Sequence, residues 1–453
     1  MKMINKVLIA NRGEIAVRII RACRELNIKT VAIYSTVDKE SLHVMLADEA
    51  VCVGDHRLEN SYLNQTAILQ AALNTQAQAI HPGFGFLSEN AEFVRACEQL
   101  DIQFIGPSAG VIELMGDKAN ARQKMIEANV PVVKGSDGLV DTFEDAIEAA
   151  KEIGFPLLIK ASAGGGGKGM RACFNQDELY DAYHQAKQEA QNAFGNGDVY
   201  MEYFVQSPRH IEVQVLGDSF GHVIHLNERE CSVQRNNQKM IEEAPVQNLK
   251  NETRSRLYEV AVRAAQAVNY VSAGTLEFIM DHEENFFFIE MNTRIQVEHP
   301  VTEMITGIDI VKEQIKIAEE RPLEIQQIDV ERKGHSLEIR INAENPIENF
   351  KPSVGKINSL HFPGGNGVRI DSFLYQNYTV LPFYDSMLAK LITYAPSRDE
   401  AMEKSIRCLE EIDIDGVDTN IEFQLDILLN ESFQDNVYTT SLVKDILKEM
   451  KHV

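Results

Sequence analysis

The chain has 453 residues, a formal net charge of −24 and an apolar content of 44%. It is too long for a single hydrophobic core, so we expect about two to four domains. The acidic charge argues against nucleic acid or an anionic membrane as a partner, and no apolar run reaches the ~18 residues that span a bilayer.

The cysteines and the N-terminus indicate a cytoplasmic protein. The six cysteines are scattered and form no CxxC pair, which argues against a zinc site or a disulfide framework. The apolar stretch at residues 7–10 is too short for the core of a signal peptide.

Short β-rich segments alternate with helical patterns in the first third of the chain. Residues 6–10 (KVLIA) predict a buried strand. Apolar side chains then share one helical face, namely Ala16, Ile19, Ile20, Cys23 and Leu26. Further strands are predicted at residues 30–35, 78–81 and 102–106. This alternation predicts a parallel α/β sheet, and the absence of GxGxxG after the first strand argues against a nicotinamide dinucleotide.

Two further blocks follow the first. The block at 116–330 contains a predicted lobe at 132–204, and the block at 331–453 carries alternating strand patterns at 335–344 and 367–373. We expect the last block to end in two helices, at roughly 397–412 and 419–429.

Four consecutive glycines stand inside the segment KASAGGGGKG, between two strand-like stretches. This pattern predicts the tip of a hairpin, where backbone N–H groups and the ammonium groups of Lys160 and Lys168 would bind phosphate. A flexible linker is the other interpretation. The segment is not a P-loop, because Gly169 and a strand follow Lys168 instead of Ser or Thr and a helix.

The segment TLEFIMDHEENFFFIEMN predicts a second hairpin. Symmetry about its polar centre would place Glu277 opposite Glu290, where the repulsion is ~3 kcal/mol at ~5 Å and an effective dielectric constant of ~20. A divalent cation such as Mg²⁺ or Mn²⁺ would offset it, with Asn292 as a third ligand. A solvent-facing hairpin edge that tolerates acidic residues is the alternative.

If that strand continues, polar side chains at every second position share one face. They are Glu290, Asn292, Arg294, Gln296 and Glu298. An amphipathic surface strand has the same pattern, but this mixture of acid, amide and guanidinium groups suits a site that holds a metal, an anion and a base together.

Several motifs resemble those of biotin carboxylases, in the same order and across essentially the whole chain. They are IANRGEIAVRIIRA (9–22), HPGFGFLSEN (81–90), IGPS (105–108), MGDK (115–118), KASAGGGGKGM (160–170), RHIEVQ (209–214), EMNTRIQVEHPVTEMITG (290–307) and INAENP (341–346). The resemblance implies an ATP-grasp enzyme of mixed α/β class. Its implied parts are a Rossmann-like pre-ATP-grasp domain (1–115), an ATP-grasp domain (116–330) with a mobile lid (about 132–204), and a C-terminal biotin carboxylase domain (331–453).

The resemblance also implies the roles of individual residues. The implied ATP-binding residues are Lys118, Lys160, Gly166, Gly167, Glu202, Tyr203, Phe204, Val205, His210, Asn237, Glu277 and Glu290. The implied ligands of Mg²⁺ or Mn²⁺ are Glu277, Glu290 and Asn292. Bicarbonate and biotin would be bound by Lys239, Arg294, Val297 and Arg340. Catalysis would rest on Lys239, Arg294, Glu298 as the base that deprotonates bicarbonate, and Arg340 as the stabiliser of the biotin enolate.

The implied reaction is the ATP- and bicarbonate-dependent carboxylation of biotin through carboxyphosphate. It is the first half-reaction of acetyl-CoA carboxylase, which makes malonyl-CoA for fatty-acid synthesis. No Ala-Met-Lys-Met biotinylation site is present, so we expect a separate biotin carboxyl carrier protein and separate carboxyltransferase subunits. The resemblance further implies a homodimer, with Arg21, Glu25 and Arg369 as interface residues.

Some positions depart from the family pattern. Asn236 and Asn237 stand where Arg and His are usual, Tyr203 stands where Lys is common, and Asn366 stands where an aromatic residue is often found. Three alternatives remain: the biotin carboxylase subunit of a split pyruvate or other acyl-CoA carboxylase, another ATP-grasp ligase, and a nucleotide-binding subunit without catalysis. The intact Glu298 favours an enzyme.

Overall fold

The computed structural model describes residues 3–162 and 169–450, and its strands form one parallel and several antiparallel sheets. The strands are β1 (Lys6–Ile9), β2 (Lys29–Ser35), β3 (Glu49–Gly54), β4 (Ala79–His81), β5 (Gln103–Phe104), β6 (Leu157–Ala161), β7 (Met170–Cys173), β8 (Val199–Tyr203), β9 (Arg209–Gly217), β10 (Val223–Arg235), β11 (Gln238–Ala244), β12 (Ser272–Met280), β13 (Phe286–Asn292), β14 (His335–Asn342), β15 (Glu344–Asn345), β16 (Lys351–Pro352), β17 (Gly355–Lys356), β18 (Ser359–His361), β19 (Val368–Ser372), β20 (Thr379–Val380), β21 (Met387–Ala395) and β22 (Asp413–Asp415).

Helices cover the faces of these sheets. They are α1 (Gly13–Glu25), α2 (Leu42–Leu46), α3 (Gln65–Thr75), α4 (Ala91–Gln99), α5 (Ala109–Gly116), α6 (Lys118–Glu127), α7 (Phe143–Ile153), α8 (Leu179–Phe194), α9 (Asn251–Ala267), α10 (His299–Thr306), α11 (Ile310–Ala318), α12 (Arg398–Glu411), α13 (Ile421–Leu429), α14 (Glu431–Gln434) and α15 (Leu442–Met450). Among the described helices, none combines the length and the apolar character that a bilayer crossing requires.

The first sheet is parallel, with the strand order β3-β2-β1-β4-β5. The prediction of a parallel α/β sheet in the first third of the chain is therefore confirmed. The sequence did not predict β3, because this edge strand is largely exposed and lacks a buried apolar run.

The strands on both sides of the glycine run pair as a hairpin, as predicted. Lys160 on β6 lies opposite Met170 on β7, and β8 completes a small sheet with the order β7-β6-β8. The tip of this hairpin at 163–168, including Gly166 and Gly167, lies outside the described residues. Its role in binding phosphate therefore stays a prediction.

The largest sheet runs β13-β12-β9-β10-β11-β14-β21-β19 and is antiparallel throughout. Its strands come from both the second and the third predicted blocks, which join where β11 pairs with β14. One continuous sheet therefore carries polar residues that are far apart in the chain.

Two predictions about secondary structure were wrong. The strand that carries Glu290 ends at Asn292, and the chain then turns so that Glu298 precedes α10, which has Pro300 in its first turn. The last block does not end in two helices, because α14 and α15 follow α12 and α13. The short amphipathic segment of α15 buries Leu442, Val443 and Ile446.

Candidate active site

A row of charged side chains crosses the centre of the largest sheet. Glu290 on β13 lies opposite Glu277 on β12, which lies opposite Glu212 on β9, which in turn lies opposite Arg229 on β10. The predicted opposition of Glu277 and Glu290 is therefore confirmed. Arg229 is completely buried and lies 2.5 Å from Glu212, so it stabilises one end of the row.

Protein groups already surround the Glu277 carboxylate. His210 Nε2 lies 3.0 Å from the Glu277 carboxylate. The same carboxylate accepts hydrogen bonds from Lys239 (3.0 Å), Asn292 (2.8 Å) and Gln296 (3.0 Å). Burial raises the pKa of the Glu277 carboxyl, but Lys239 and His210 outweigh burial and hold that pKa below its usual range. Glu277 is therefore negatively charged at neutral pH.

Glu277 and Glu290 offer hard carboxylate oxygens, which are the donors that Mg²⁺ prefers. Glu290 Oε2 also lies 3.7 Å from the Lys118 ammonium. The two carboxylates therefore fit the expected cation. The Asn292 side-chain oxygen accepts a hydrogen bond from Arg294 (2.9 Å), so its role as a third ligand stays a prediction.

Lys239 is the cation around which the carboxylates gather. Its Nζ lies 2.5 Å from Glu298, 2.6 Å from Glu212 and 3.0 Å from Glu277. The sequence analysis missed Glu212, although it lies between His210 and Gln214 at every second position of β9. That alternation was the available signal for a shared face.

Glu298 is 1% exposed and lies between two cations. Lys239 contacts one carboxylate oxygen at 2.5 Å, and Arg340 contacts the other at 3.0 Å. Burial raises the pKa of Glu298, but Lys239, Arg340 and Arg229 outweigh burial and hold that pKa well below its usual range. Glu298 is therefore ionised and able to accept a proton.

Arg294 is held by three side chains. It donates to Glu89 through Nε (2.8 Å), to Gln296 (2.8 Å) and to Asn292 (2.9 Å). Glu89 also accepts from the backbone N–H of Thr293 at 3.0 Å. Glu89 precedes α4 in the N-terminal sheet domain, and the sequence analysis gave it no role.

Arg340 and the Val297 backbone approach Glu298 from the other side. Arg340 donates through Nε to Glu242 at 2.7 Å, and the buried Lys390 donates to the Val297 carbonyl at 2.8 Å.

The sequence resemblance placed Lys239, Arg294, Glu298 and Arg340 in one site. Lys239 and Arg340 both contact Glu298. Arg294 is linked to Lys239 indirectly, because its partners Asn292 and Gln296 donate to Glu277, which Lys239 also contacts.

Two of the described residues that are expected to bind ATP contact the row of carboxylates, since Lys118 lies 3.7 Å from Glu290 and His210 lies 3.0 Å from Glu277. Lys160 Nζ lies 2.5 Å from the Glu202 carboxylate, and both side chains are buried. The backbone N–H groups of Tyr203 and Phe204 donate to carbonyls of neighbouring segments, and Val205 is buried.

Asn236 and Asn237 form the turn between β10 and β11. Their φ angles are +51° and +63°, as in a type I′ turn, and Arg235 pairs with Gln238 across it. Asparagine tolerates positive φ better than most residues. The two asparagines that depart from the family pattern therefore suit the positive φ angles of this turn. Contact between Asn237 and a nucleotide stays a prediction.

Three family models together match most of the chain. They are "Biotin carboxylase, N-terminal domain" at residues 3–112, "Carbamoyl-phosphate synthase L chain, ATP binding domain" at 117–326 and "Biotin carboxylase C-terminal domain" at 338–445. Biotin carboxylase 1 of Bacillus subtilis (strain 168) is 52% identical over 443 residues, which are 98% of each chain.

The chain belongs to the biotin carboxylase family. The small subunit of 2-oxoglutarate carboxylase from Hydrogenobacter thermophilus is 51% identical, over 98% of this chain and 94% of that subunit. The crystal structure of the biotin carboxylase domain dimer of that carboxylase, in complex with MgADP, ADP and bicarbonate, superposes with a TM-score of 0.95 at 50% identity over 98% of each chain. The biotin carboxylase fold and its ATP-dependent ligase class thus apply to this chain.

Proposed function

We propose that this chain carboxylates biotin on a biotin carboxyl carrier protein, using ATP and bicarbonate and passing through carboxyphosphate. The observation that carries this proposal is the buried, ionised Glu298 between Lys239 and Arg340. Glu298 is already in the unprotonated form that a base requires, and Lys239 and Arg340 place two cations beside it, where an anion would bind.

The bicarbonate step uses the cluster on the largest sheet. Arg294, Lys239 and the Val297 backbone bind bicarbonate, and Glu298 accepts its proton. The resulting anion then attacks the terminal phosphate of ATP, with both reactants held in one orientation. The related H. thermophilus structure contains bicarbonate, which supports bicarbonate as the substrate.

The nucleotide lies beside that cluster. ATP is bound by Lys118, Lys160, His210 and the backbone at 202–205 in this proposal. Gly166 and Gly167, which the sequence resemblance also assigns to ATP binding, lie outside the described residues. Glu277 and Glu290 would hold Mg²⁺, and the bound ion would neutralise charge on the phosphates. The same related structure contains MgADP, which supports a magnesium-bound adenine nucleotide as the ligand.

Biotin enters on the Arg340 side. Carboxyphosphate breaks down to CO₂ and phosphate, and the phosphate removes the proton from the biotin ureido nitrogen. Arg340, which Glu242 and Glu298 hold from two sides, then stabilises the enolate that captures CO₂.

The acceptor of the carboxyl group defines the whole enzyme. We favour the biotin carboxylase subunit of acetyl-CoA carboxylase, which works with a carrier protein and carboxyltransferase subunits in the cytoplasm. The 51% identity to the small subunit of 2-oxoglutarate carboxylase favours a 2-oxo acid carboxylase as the second candidate. Co-purification of the biotinylated carrier and its carboxyltransferase, followed by assays with acetyl-CoA and 2-oxoglutarate, separates the two.

The proposal includes three domains, which are the pre-ATP-grasp domain (1–115), the ATP-grasp domain (116–330) and the C-terminal domain (331–453). It also includes a homodimer. Arg21, Glu25 and Arg369 line one surface cavity of about 380 Å³, which is consistent with a shared interface. The dimer in the related crystal structure supports the same assembly. Sedimentation equilibrium of the whole chain and of Arg21→Glu tests it, and a monomer at every concentration would contradict it.

The decisive assay measures ATP hydrolysis as a function of bicarbonate and free biotin. We expect hydrolysis to require bicarbonate and to rise when biotin is added. An ATPase that ignores biotin would indicate another ATP-grasp ligase, and ATP binding without hydrolysis would indicate a non-catalytic subunit.

A further inference from the structure

Two carboxylates that the reaction does not use directly face each other beside Arg340. Glu242 lies on β11 and Glu338 on β14, and the antiparallel pairing places them directly opposite each other. Neither side chain has any exposed surface. Opposed residues in such a pair have Cβ atoms ~4.5–5.5 Å apart, so two negative charges there would repel strongly.

Hydrogen bonds distinguish the two residues. Glu242 Oε1 accepts from Arg340, but Glu242 Oε2 and both oxygens of Glu338 accept no hydrogen bond from the described part of the chain. A buried carboxylate with no donor and no cation in contact is strongly disfavoured. Such a pair is stable when one member carries a proton.

We propose that Glu338 is a protonated carboxylic acid that donates a hydrogen bond to Glu242 Oε2 and so positions Arg340 beside Glu298. Burial raises the pKa of Glu242 to about 7, and Arg340 opposes this rise. Glu338 has no hydrogen-bond donor or cation in contact among the described residues, so we assign the proton to Glu338. The hydrogen bond fills the acceptor that Glu242 otherwise leaves empty. The role of Arg340 in this inference rests on the proposed function.

The charged groups around Glu338 agree with this assignment. Lys390 on β21 lies 3.2 Å from Glu14 and 4.0 Å from Asp371, but it forms no ion pair with Glu338 among the described residues. Burial raises the pKa of Glu338 well above its usual range; Lys390 and Arg340 oppose this rise, whereas Glu242 adds to it.

The start of α10 contributes the remaining titratable groups. Glu298 raises the pKa of Glu338 further. His299 Nδ1 contacts the Gln296 carbonyl at 2.8 Å, and Glu303 pairs with Arg18 and Arg369. Neither group on α10 supplies Glu338 with a cation.

The proton matters for the reaction because of the charge balance around the anion site. Arg340 is shared by Glu242 and Glu298, and Lys239 is shared by Glu298, Glu212 and Glu277, so each cation already contacts more than one carboxylate. If Glu338 loses its proton, a further negative charge appears next to Arg340. This charge attracts the Arg340 guanidinium towards Glu338 and repels bicarbonate. The KM for bicarbonate should therefore rise as pH rises through the pKa of Glu338.

Glu338→Gln tests the proton directly, because an amide matches a protonated carboxyl in size and can still donate to Glu242. A raised pKa in the folded state makes the unsubstituted protein lose stability as pH rises from the unfolded value of ~4.3 towards the folded pKa. The variant lacks this loss, so its thermal midpoint should exceed that of the unsubstituted protein by a margin that grows with pH. Infrared difference spectra should show the loss of a protonated carboxyl band in the variant.

A matched control is Glu228→Gln, which alters another fully buried glutamate on the same sheet. Glu228 pairs with Arg254 at 3.0 Å, so this variant should lower the thermal midpoint instead. A lower midpoint in Glu338→Gln as well, or no loss of a carboxyl band, would show that Glu338 is ionised and would overturn the proposal.

The bicarbonate assay tests the effect on Arg340. Between about pH 6 and pH 9, the KM for bicarbonate should rise less in Glu338→Gln than in the unsubstituted protein, while the KM for ATP follows the same course in both. An identical bicarbonate profile would overturn the positioning role. If the unsubstituted protein lacks biotin-stimulated hydrolysis, the proposed function fails, and the stability and infrared measurements still decide whether Glu338 is protonated.

Discussion

Lys239 and Glu298 form an ion pair of 2.5 Å at the centre of the cluster, although 59 positions separate them in the chain. The same ammonium group contacts Glu212 and Glu277. Lys239 therefore links the base to Glu277, one of the carboxylates that are expected to bind the metal, and a change at Lys239 should affect both.

The first prediction concerns the base. Glu298→Gln keeps the size of the side chain but removes its ability to accept a proton. We expect bicarbonate-dependent ATP hydrolysis to fall ~10²–10⁴-fold, while calorimetry shows unchanged ATP binding. The control is Glu283→Gln in the exposed turn between β12 and β13. Turnover at the unsubstituted rate in Glu298→Gln would exclude Glu298 as the base.

The second prediction concerns the pH profile. Lys239 lowers the pKa of Glu298, so Lys239→Met should raise that pKa and keep the base protonated to higher pH. We expect the acidic limb of kcat/KM for bicarbonate to move to higher pH. Lys239→Arg retains the charge and should leave the limb near its original position. An unmoved limb in Lys239→Met would mean that Lys239 does not tune Glu298.

The sequence predicted parts of the site that depend on local periodicity. The alternation of β12 and β13 about a polar turn was enough to place Glu277 opposite Glu290, because register in a hairpin follows from the turn. The same reasoning failed at Glu298. The polar alternation continues past Asn292, but the chain turns there, and Glu298 reaches the cluster from the start of α10.

Residues brought in by tertiary packing were beyond the sequence analysis. Glu89 contacts Arg294 across 205 positions of the chain, and no local pattern indicates such a contact. The pairing of Glu242 with Glu338 likewise depends on β11 joining β14, which no short-range signal predicts. The resemblance to biotin carboxylases could assign a role only to residues inside a recognised motif. The roles of Glu89, Glu242 and Glu338 follow from contacts that only the folded structure shows.

The third prediction concerns Glu89, which aims the Arg294 guanidinium. Glu89→Gln removes the charge from the acceptor of three hydrogen bonds, which come from the Thr293 N–H, the Thr293 hydroxyl and Arg294. Because the Glu89 side chain is exposed, solvent screening limits its ion pair with Arg294 to about 1 kcal/mol. We expect the KM for bicarbonate to rise by up to about tenfold, with the KM for ATP nearly unchanged. Glu92→Gln, on the exposed face of α4, is the control. An equal rise in both KM values would indicate a general loss of structure instead of a misplaced Arg294.

The fourth prediction concerns the attachment of the C-terminal helices. Glu243 on β11 is 1% exposed and accepts hydrogen bonds from Arg398 on α12 (2.7 Å) and from Tyr438, and it lies 2.6 Å from His335 Nε2. Burial raises the pKa of Glu243, but Arg398 and His335 outweigh burial and lower it. The stability that Glu243 provides is therefore present above the unfolded pKa of ~4.3 and is lost as pH falls.

Arg398→Met should leave Glu243 as a buried charge with too few partners, at a cost of about 3–5 kcal/mol. We expect faster amide hydrogen exchange in α12 and α15 at neutral pH, measured by mass spectrometry. The difference from the unsubstituted protein should shrink below about pH 4, where Glu243 in the variant gains a proton. Arg407→Met, which removes an exposed pair with Glu411, should have little effect. A difference that persists unchanged at acidic pH would show that Arg398 stabilises the helices by packing and not through the charge of Glu243.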